Sequence, residues 1–239
     1  DKLSEFSKSA KKIPAIVEFV DIAGLVRGAN KGEGLGNQFL ANIREVDVVL
    51  YVVRAFLDPN IHHVEAAVDP KADIEILTTE LMLKDLETVE KHLEKVKKQA
   101  RGNDKEAVAE LPILEKLKGS LADGFMACKV EGAEKVSKDL QLLTAKRGIF
   151  LFNANVTGSD PVTLDSFGFP AISMNVCEEL EGAGFSREEL KDLGLSSSKL
   201  PELIRLAYET LGLITFFTAG EDETRAWTIK QGALAPEAA

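Results

Sequence analysis

Cysteine, aromatic residues and long apolar runs are all scarce in this sequence. Only two cysteines occur, Cys128 and Cys177, and they lie far apart without C-x-x-C spacing, which excludes a disulfide framework and fits a reducing compartment. No apolar run approaches the roughly 18–20 residues of a membrane-spanning helix, and the charged first residues do not resemble a secretory leader. We therefore expect a cytoplasmic protein with no membrane partner.

Positive charge is also in deficit. The chain has 29 Lys and Arg against 39 Asp and Glu, which gives a formal net charge of -10. Because phosphate contacts need a local excess of Lys and Arg, this balance argues against nucleic-acid binding over the whole surface, although not against a local basic patch. The 45% hydrophobic content of the 239 residues is that of a folded globular protein, with room for one large domain or two to three small ones.

Short β-branched and apolar runs predict buried strands, in the manner of a parallel sheet whose central strands are apolar on both faces. A glycine-punctuated loop follows the first run, then a short helix over Gln38–Arg44. The predicted strands are Ala15–Asp21, Asp47–Val53, Gly148–Asn153 and Ala171–Met174. Leu200–Leu211 predicts an amphipathic helix, and the residues after Ile214 have β character.

Between the second and third predicted strands, the apolar period changes to that of a coiled coil. The first stripe recurs at spacings of four and three, and the second begins after Gly102-Asn103-Asp104. Two such helices joined by a short turn predict an antiparallel helical hairpin inserted into the α/β part. The stripes consist of Met82, Leu86, Val89, Leu93, Val96 and Ala100, then Val108, Leu111, Leu114, Leu117 and Leu121.

Asp21 and Gly24 have the spacing of a phosphate-sensing switch. In P-loop hydrolases, a carboxylate at a strand's carboxyl end helps hold Mg²⁺, usually through water, and a glycine three residues later contacts the γ-phosphate. The same D-x-x-G spacing also occurs in ordinary turns. The strand before Asp21 and the glycine-rich loop after Gly24 favour the functional interpretation.

The residues around this motif resemble the YchF branch of the Obg-like P-loop family. The stretch from Asp21-Ile22-Ala23-Gly24-Leu25 to Asp47 carries that resemblance, together with Phe216–Gly220 and Arg225–Thr228, which are similar to the start of a TGS domain. The resemblance implies a partial P-loop NTPase fold, with a parallel sheet, an inserted coiled-coil hairpin and the start of a β-rich TGS domain. The resemblance implies four divisions. Residues 1–71 would be the G-domain part with switch II, and residues 72–145 the helical coiled-coil insertion. Residues 146–213 would be the carboxyl-terminal part of the G domain, and residues 214–239 the start of the TGS domain. Switch II would include Asp21, Ala23, Leu25, Gly28, Gly32, Gly34 and Gly36.

Leu25 removes a group that many related GTPases use. A glutamine at this place orients the attacking water, whereas a leucine side chain has neither donor nor acceptor. The resemblance assigns the task to a histidine in the loop after the second strand, where His63 matches by its register to the following residues. An imidazole could orient the water or accept its proton. Without the resemblance, His62 and His63 would be expected simply to be solvated.

The base-reading motif of GTPases, N/T-K-x-D, does not follow a strand in this sequence. The YchF family carries N-x-x-E instead, which underlies its preference for ATP. Here Asn153-Ala154-Asn155-Val156 has Val in place of the acid, and the alternative register from Asn155 has Gly158 there. The resemblance thus implies base contacts from Asn153, Ala154 and Asn155, with ATP, or GTP as well, as the nucleotide.

A Walker A loop, G-x-x-x-x-G-K-[S/T], is absent from these residues. Its backbone N–H groups and lysine normally supply most of the phosphate binding. In the family this loop and switch I come earlier, and the TGS domain is longer. We therefore expect the sequence to be a fragment, or to lack internal segments, and expect this polypeptide by itself to bind nucleotide poorly.

Basic residues gather around the turn of the predicted hairpin. Six of them stand against Glu90, Glu94, Asp104 and Glu106, a local charge of +2 in an acidic chain. The patch could contact RNA phosphates or be an ordinary solvated surface. The six are Lys91, Lys95, Lys97, Lys98, Arg101 and Lys105.

Two functions follow from these residues. The first is an ATP-hydrolysing switch that uses Mg²⁺ and contacts the ribosome or its RNA through the hairpin and the TGS region. The second is a non-catalytic module that binds RNA, ribosome or protein and keeps a vestigial nucleotide site. The absent Walker A loop and base-reading acid favour the second function if the sequence is complete.

Overall fold

The structure is a computed structural model that describes residues 2–22, 42–61, 68–155, 168–192 and 198–238. It divides into two units, one containing Asp1–Asp21 with Ser198–Ala239 and the other containing Ile22–Ser197. The fourfold division at 71, 145 and 213 stays a prediction. Within the described ranges, no helix is both long enough and apolar enough to cross a membrane.

A parallel three-stranded sheet forms the centre of the second unit. Its strands are β2 (Val48–Arg54), β3 (Arg147–Asn153) and β4 (Ala171–Met174), in the order β2-β3-β4. Arg54 pairs with Asn153, and Asn153 pairs with Met174, so the three strands end together. The apolar runs therefore predicted these strands to within one residue at each end, and the parallel α/β architecture is confirmed.

One face of this sheet buries an aromatic cluster. The rings of Tyr51, Phe150 and Phe169 contact one another, with centroid separations of 5.3 Å for Tyr51–Phe150, 5.9 Å for Phe150–Phe169 and 6.3 Å for Tyr51–Phe169. Gly148 makes this packing possible, because a Cβ atom there would lie 2.6 Å from both the Phe169 and Tyr51 rings. The pairing register puts Gly148 beside Val49 on the neighbouring strand. The strand thus carries a glycine at the position against which the Tyr51 and Phe169 rings pack.

The predicted hairpin is present. Helices α2 (Pro70–Arg101) and α3 (Lys105–Ala122) pack against each other around the turn at Gly102–Asp104. Asp104 begins α3, because its carboxylate accepts from the N–H groups of Glu106 and Ala107. Val108, predicted to be in the core, is instead exposed, and Ala107 takes the buried place. The apolar stripe of α3 therefore begins one residue before the predicted position.

The hairpin leads back to the sheet through short segments. These are a 3₁₀ turn at Ala127–Lys129, helix α4 (Glu134–Leu140) and a second 3₁₀ turn at Leu143–Ala145. Helices α5 (Val176–Glu181) and α6 (Arg187–Asp192) follow β4. Residues 42–45, before β2, are also helical.

The first unit has its own three-stranded sheet. Strands β5 (Leu213–Ala219) and β6 (Glu223–Lys230) form an antiparallel pair, and β1 (Lys11–Ile13) runs parallel to β6. Helices α1 (Lys2–Phe6), α7 (Leu200–Leu211) and α8 (Ala235–Ala238) complete the unit. Helix α7 and the two tail strands agree with the predicted elements, whereas β1 was not predicted.

The strand predicted over Ala15–Asp21 is wrong. Residues 14–22 have no regular secondary structure, and among the described residues no strand pairs with them. Apolar composition favours a strand, but the strand exists only when a neighbour supplies partners for its N–H and C=O groups. Ile16 and Val20 accordingly remain exposed, at 82% and 60%.

Candidate functional site

The carboxyl ends of β2, β3 and β4 form the candidate site. In open parallel sheets, ligands bind outside this edge, where the chain turns away into loops and helices. Arg54, Asn153 and Met174 are the last residues of the three strands. Main-chain bonds continue beyond them, since Ala55 N donates to Asn153 O at 2.8 Å and Ala154 N donates to Met174 O at 3.1 Å.

Asn153, Ala154 and Asn155 lie together at this edge, but their environments differ. The side-chain oxygen of Asn153 accepts from Val176 N at 3.2 Å, which ties the end of β3 to the start of α5. Ala154 is buried, whereas Asn155 is exposed. Asn155 therefore offers the more accessible side chain, while the Asn153 amide already has a structural task.

Asn175 adds a polar group that the sequence analysis missed. Its side-chain oxygen caps α5 by accepting from Cys177 N and Glu178 N. Its amide Nδ2 donates to Glu178 Oε1 at 2.9 Å and to Asn155 O at 3.4 Å. Asn175 to Glu178 has the N-x-x-E spacing sought after β3, and here Asn175 is the N-cap of α5 while the Glu178 carboxylate accepts from its side-chain amide. That spacing directly after a strand was the available signal.

Arg54 is a second residue that the sequence analysis missed. Its Nε donates to Phe56 O, its Nη2 to Asp58 O and its Nη1 to Ile61 O, each at 3.0 Å. The side chain thus organises the loop after β2. The predicted catalytic His63 comes two residues after Ile61 and lies outside the described residues.

Of the predicted switch residues, only Asp21 lies within the described residues. Asp21 is described as the last residue of the first unit, with an exposed side chain and no regular secondary structure around it. Gly24 and the other switch residues, Ala23, Leu25, Gly28, Gly32, Gly34 and Gly36, lie outside the described residues.

Magnesium chemistry is compatible with a single exposed carboxylate. Mg²⁺ keeps several waters and is usually held by one or two carboxylates together with substrate phosphates. Asp21 offers one such carboxylate. In the described part of the chain, no group of three or more His, Cys, Asp or Glu residues is arranged to hold a metal ion.

The basic residues of the hairpin differ in their partners. Lys91 Nζ lies 2.6 Å from Glu87 Oε1, and Lys97 Nζ lies 3.5 Å from Glu115 Oε1. Within the described ranges, no carboxylate oxygen lies within 4 Å of the side-chain nitrogens of the other four basic residues. These are Lys95, Lys98, Arg101 and Lys105, and all are exposed.

The parallel sheet, its polar carboxyl edge and the inserted hairpin are those of an α/β nucleotide-binding protein. Residues 4–100 match the family model of 50S ribosome-binding GTPases. Residues 213–239 match the model of the YchF GTPase carboxyl-terminal domain, described as a protein of unknown function (DUF933). These two matches lie at opposite ends of the chain.

Comparison with individual proteins defines the family. The chain is 45% identical over 256 aligned residues to the ribosome-binding ATPase YchF of Bacillus subtilis, and 43% identical over 254 to that of Escherichia coli O157:H7. Each comparison covers 100% of this chain and 70% of the relative. The structure of the Schizosaccharomyces pombe YchF GTPase matches with a TM-score of 0.80 and 38% identity, over 99% of this chain and 69% of that one. The chain belongs to the YchF family, as its switch motif predicted.

Proposed function

We propose that this chain is part of a ribosome-associated nucleotide hydrolase that acts as a molecular switch and prefers ATP. The observation that carries the proposal is 45% identity across the whole chain to a ribosome-binding ATPase. Such identity over both units supports a shared activity better than a local motif would. We assign nucleotide binding and hydrolysis to residues 1–71 and 146–213, and ribosome contact to residues 72–145 and 214–239.

In this proposal the base lies at the carboxyl edge of the second unit's sheet. Asn155, exposed two residues after the end of β3, reads the base together with the backbone of Ala154. Asn175 supports the site, because its Nδ2 donates to Asn155 O. Asn153 contributes mainly by fixing the start of α5 through its bond from Val176 N.

The phosphate side of the site uses the switch residues. When bound, Mg²⁺ neutralises charge on the β- and γ-phosphates, and Asp21 would hold it through water. Gly24 would contact the γ-phosphate, and Gly28, Gly32, Gly34 and Gly36 would allow the switch to rearrange after hydrolysis. Because Leu25 cannot orient the attacking water, His63 would do so.

Nucleotide binding and hydrolysis on the intact natural protein test this proposal. Affinities for ATP and GTP would be measured by titration calorimetry with Mg²⁺, and turnover by phosphate release. We expect tighter binding of ATP, and equal or GTP-favoured binding would contradict the stated preference. His63→Ala should lower kcat by about 100-fold or more with little change in affinity, because a positioned acid or base contributes that much. His62→Ala is the matched control.

The hairpin is the proposed ribosome contact. Lys95, Lys98 and Arg101 are exposed on α2, and no carboxylate of the described residues lies within 4 Å of their charged groups. Unpaired cations on an otherwise acidic protein would bind RNA phosphates by releasing counterions. The TGS region, residues 214–239, is proposed as a second contact.

Charge reversal on the hairpin tests this contact. Lys95→Glu with Lys98→Glu should weaken ribosome binding and reduce its salt dependence, by about one in the log–log slope for each lost phosphate contact. The control reverses two exposed lysines outside the hairpin, Lys135 and Lys138, which have the same three-residue spacing on helix α4. Equal loss in both pairs would point to overall charge rather than to a hairpin contact.

A second candidate is a binding module with a vestigial nucleotide site. It is favoured by Val156 or Gly158 at the place of the family's base-reading acid. An intact protein that binds ribosomes or RNA but shows no measurable nucleotide turnover would support it. Turnover that depends on His63 would exclude it.

A further inference from the structure

Arg54 directs three of its N–H groups at the main chain that follows it. Its Nε, Nη2 and Nη1 donate to the carbonyl oxygens of Phe56, Asp58 and Ile61, each at 3.0 Å. A guanidinium has donors in a fixed fork, so three simultaneous bonds define the path of all the residues that supply the acceptors. One side chain thereby shapes the whole loop 55–61.

Other contacts reinforce the same loop conformation. The Arg54 guanidinium carbon lies 4.9 Å from the centroid of the Phe56 ring, a cation–π contact. Asp58 Oδ1 accepts from Asn60 N at 2.8 Å, and Ile61 N donates to Asp58 O at 3.3 Å, which closes a turn. Because Asp58 O accepts from both Ile61 and Arg54, the turn and the guanidinium stabilise each other.

The loop is also tied to the candidate base site. Arg54 pairs with Asn153 in the sheet, and Ala55 N donates to Asn153 O at 2.8 Å. Among the described residues, no carboxylate lies within 4 Å of the Arg54 guanidinium, so its bonds to the loop are its principal contacts there. Removing the side chain would leave the three carbonyl groups without this donor.

We propose that Arg54 is a positioning residue for nucleotide hydrolysis. By holding Ile61 in place relative to the sheet edge, it sets the point from which the chain continues into His62 and His63. This inference rests on the proposed role of His63. Arg54 need not touch the nucleotide, and its effect should fall on kcat rather than on affinity.

Variants of Arg54 in the intact protein test the inference. Arg54→Ala should lower kcat by roughly 10- to 100-fold, the range expected when a reacting group is misplaced by about an ångström. Nucleotide Kd should stay within about twofold, since ground-state binding is not the interaction removed. Arg54→Lys should not restore kcat, because an ammonium lacks the guanidinium fork. Arg205→Ala, which removes an exposed arginine on α7, is the control.

The decisive comparison is made in the His63→Ala background. If Arg54 acts only through His63, adding Arg54→Ala to that variant should slow turnover no further. An additional loss there, an unchanged kcat in the single variant, or a weakened nucleotide affinity would each overturn the inference. A His63→Ala protein with normal turnover would instead overturn the proposed function. If turnover were slow in His63→Ala but normal in Arg54→Ala, the proposed function would stand and only the role of Arg54 would be refuted.

Discussion

Asp85 Oδ2 accepts a hydrogen bond of 2.6 Å from Thr144 Oγ1, across 59 residues of sequence. The same carboxylate accepts from Thr144 N at 2.7 Å and from Leu143 N at 2.8 Å. Asp85 is only 2% exposed, and Thr144 Oγ1 in turn accepts from Ala127 N. A buried carboxylate on the hairpin thus fixes the turn that leads directly into β3, whose far end carries the candidate base site.

Asp85→Asn should destabilise the fold. An amide keeps one acceptor but turns its NH₂ group toward an N–H donor of Leu143 or Thr144, so buried donors lose their partners. The expected loss in the free energy of unfolding is about 2–4 kcal/mol, measured by chemical denaturation. Asp139→Asn, an exposed change on α4, should stay within about 0.5 kcal/mol. Equal losses in the two variants would contradict the role of Asp85.

The pH dependence of stability should carry the signature of Asp85. Burial raises the pKa of this carboxyl above its ordinary value, although the hydrogen bonds from Thr144 and Leu143 oppose the rise. Between the unfolded and folded pKa values, the folded protein therefore holds a proton that the unfolded chain has released. The free energy of unfolding should accordingly fall as the pH rises through that interval. A pH titration of the side-chain carboxyl signals by NMR should give Asp85 a titration midpoint above that of an ordinary aspartate, and a lower midpoint would contradict this.

The sheet and the hairpin could be predicted because their signals are local. The apolar runs before Asn153 and Met174 and the coiled-coil spacing ending at Leu121 each lie within one element. The strand predicted over Ala15–Asp21 failed because pairing depends on a neighbour elsewhere in the chain. The buried role of Asp85 could not be predicted for the same reason. A single acidic residue in a helix is usually solvated, and its partner Thr144 lies 59 residues away in the sequence.

Gly148→Ala should destabilise the sheet. The new Cβ atom would lie 2.6 Å from the rings of Phe169 and Tyr51, and such overpacking costs about 1–3 kcal/mol. Gly119→Ala is the matched control, because open space surrounds Gly119 within helix α3. That change should stabilise by up to about 1 kcal/mol through helix propensity. Thermal unfolding of both variants should show a lower melting temperature for Gly148→Ala and an unchanged or higher one for Gly119→Ala. An unchanged melting temperature for Gly148→Ala would contradict the packing argument.

The candidate site was predictable only in part. Asn153 to Asn155 follow a clear strand, and so their place at the sheet edge could be expected. The sequence did not indicate that Asn153 is engaged by Val176, because that bond joins two chain segments that meet only at this edge. Arg54 was equally hidden, since its partners are main-chain carbonyl groups, which every residue possesses and no motif records.

Asn175 should matter both for helix α5 and for the nucleotide, and a comparison of two caps separates these effects. Asn175→Ala removes the acceptor for Cys177 N and Glu178 N and also the donor to Asn155 O. Asp104→Ala removes the equivalent cap of α3, at the far turn of the hairpin. Each loss should cost about 0.5–2 kcal/mol of stability.

Only the Asn175 variant should also weaken nucleotide binding, because only Asn175 contacts the segment proposed to read the base. A several-fold rise in the Kd for ATP, measured by calorimetry on the intact protein, is the expected result. The Asp104 variant should bind as the natural protein does, since its cap lies on the hairpin and not at the sheet edge. If both variants lost affinity to the same extent, lower stability would explain the effect, and Asn175 would be a helix cap without a role in base recognition.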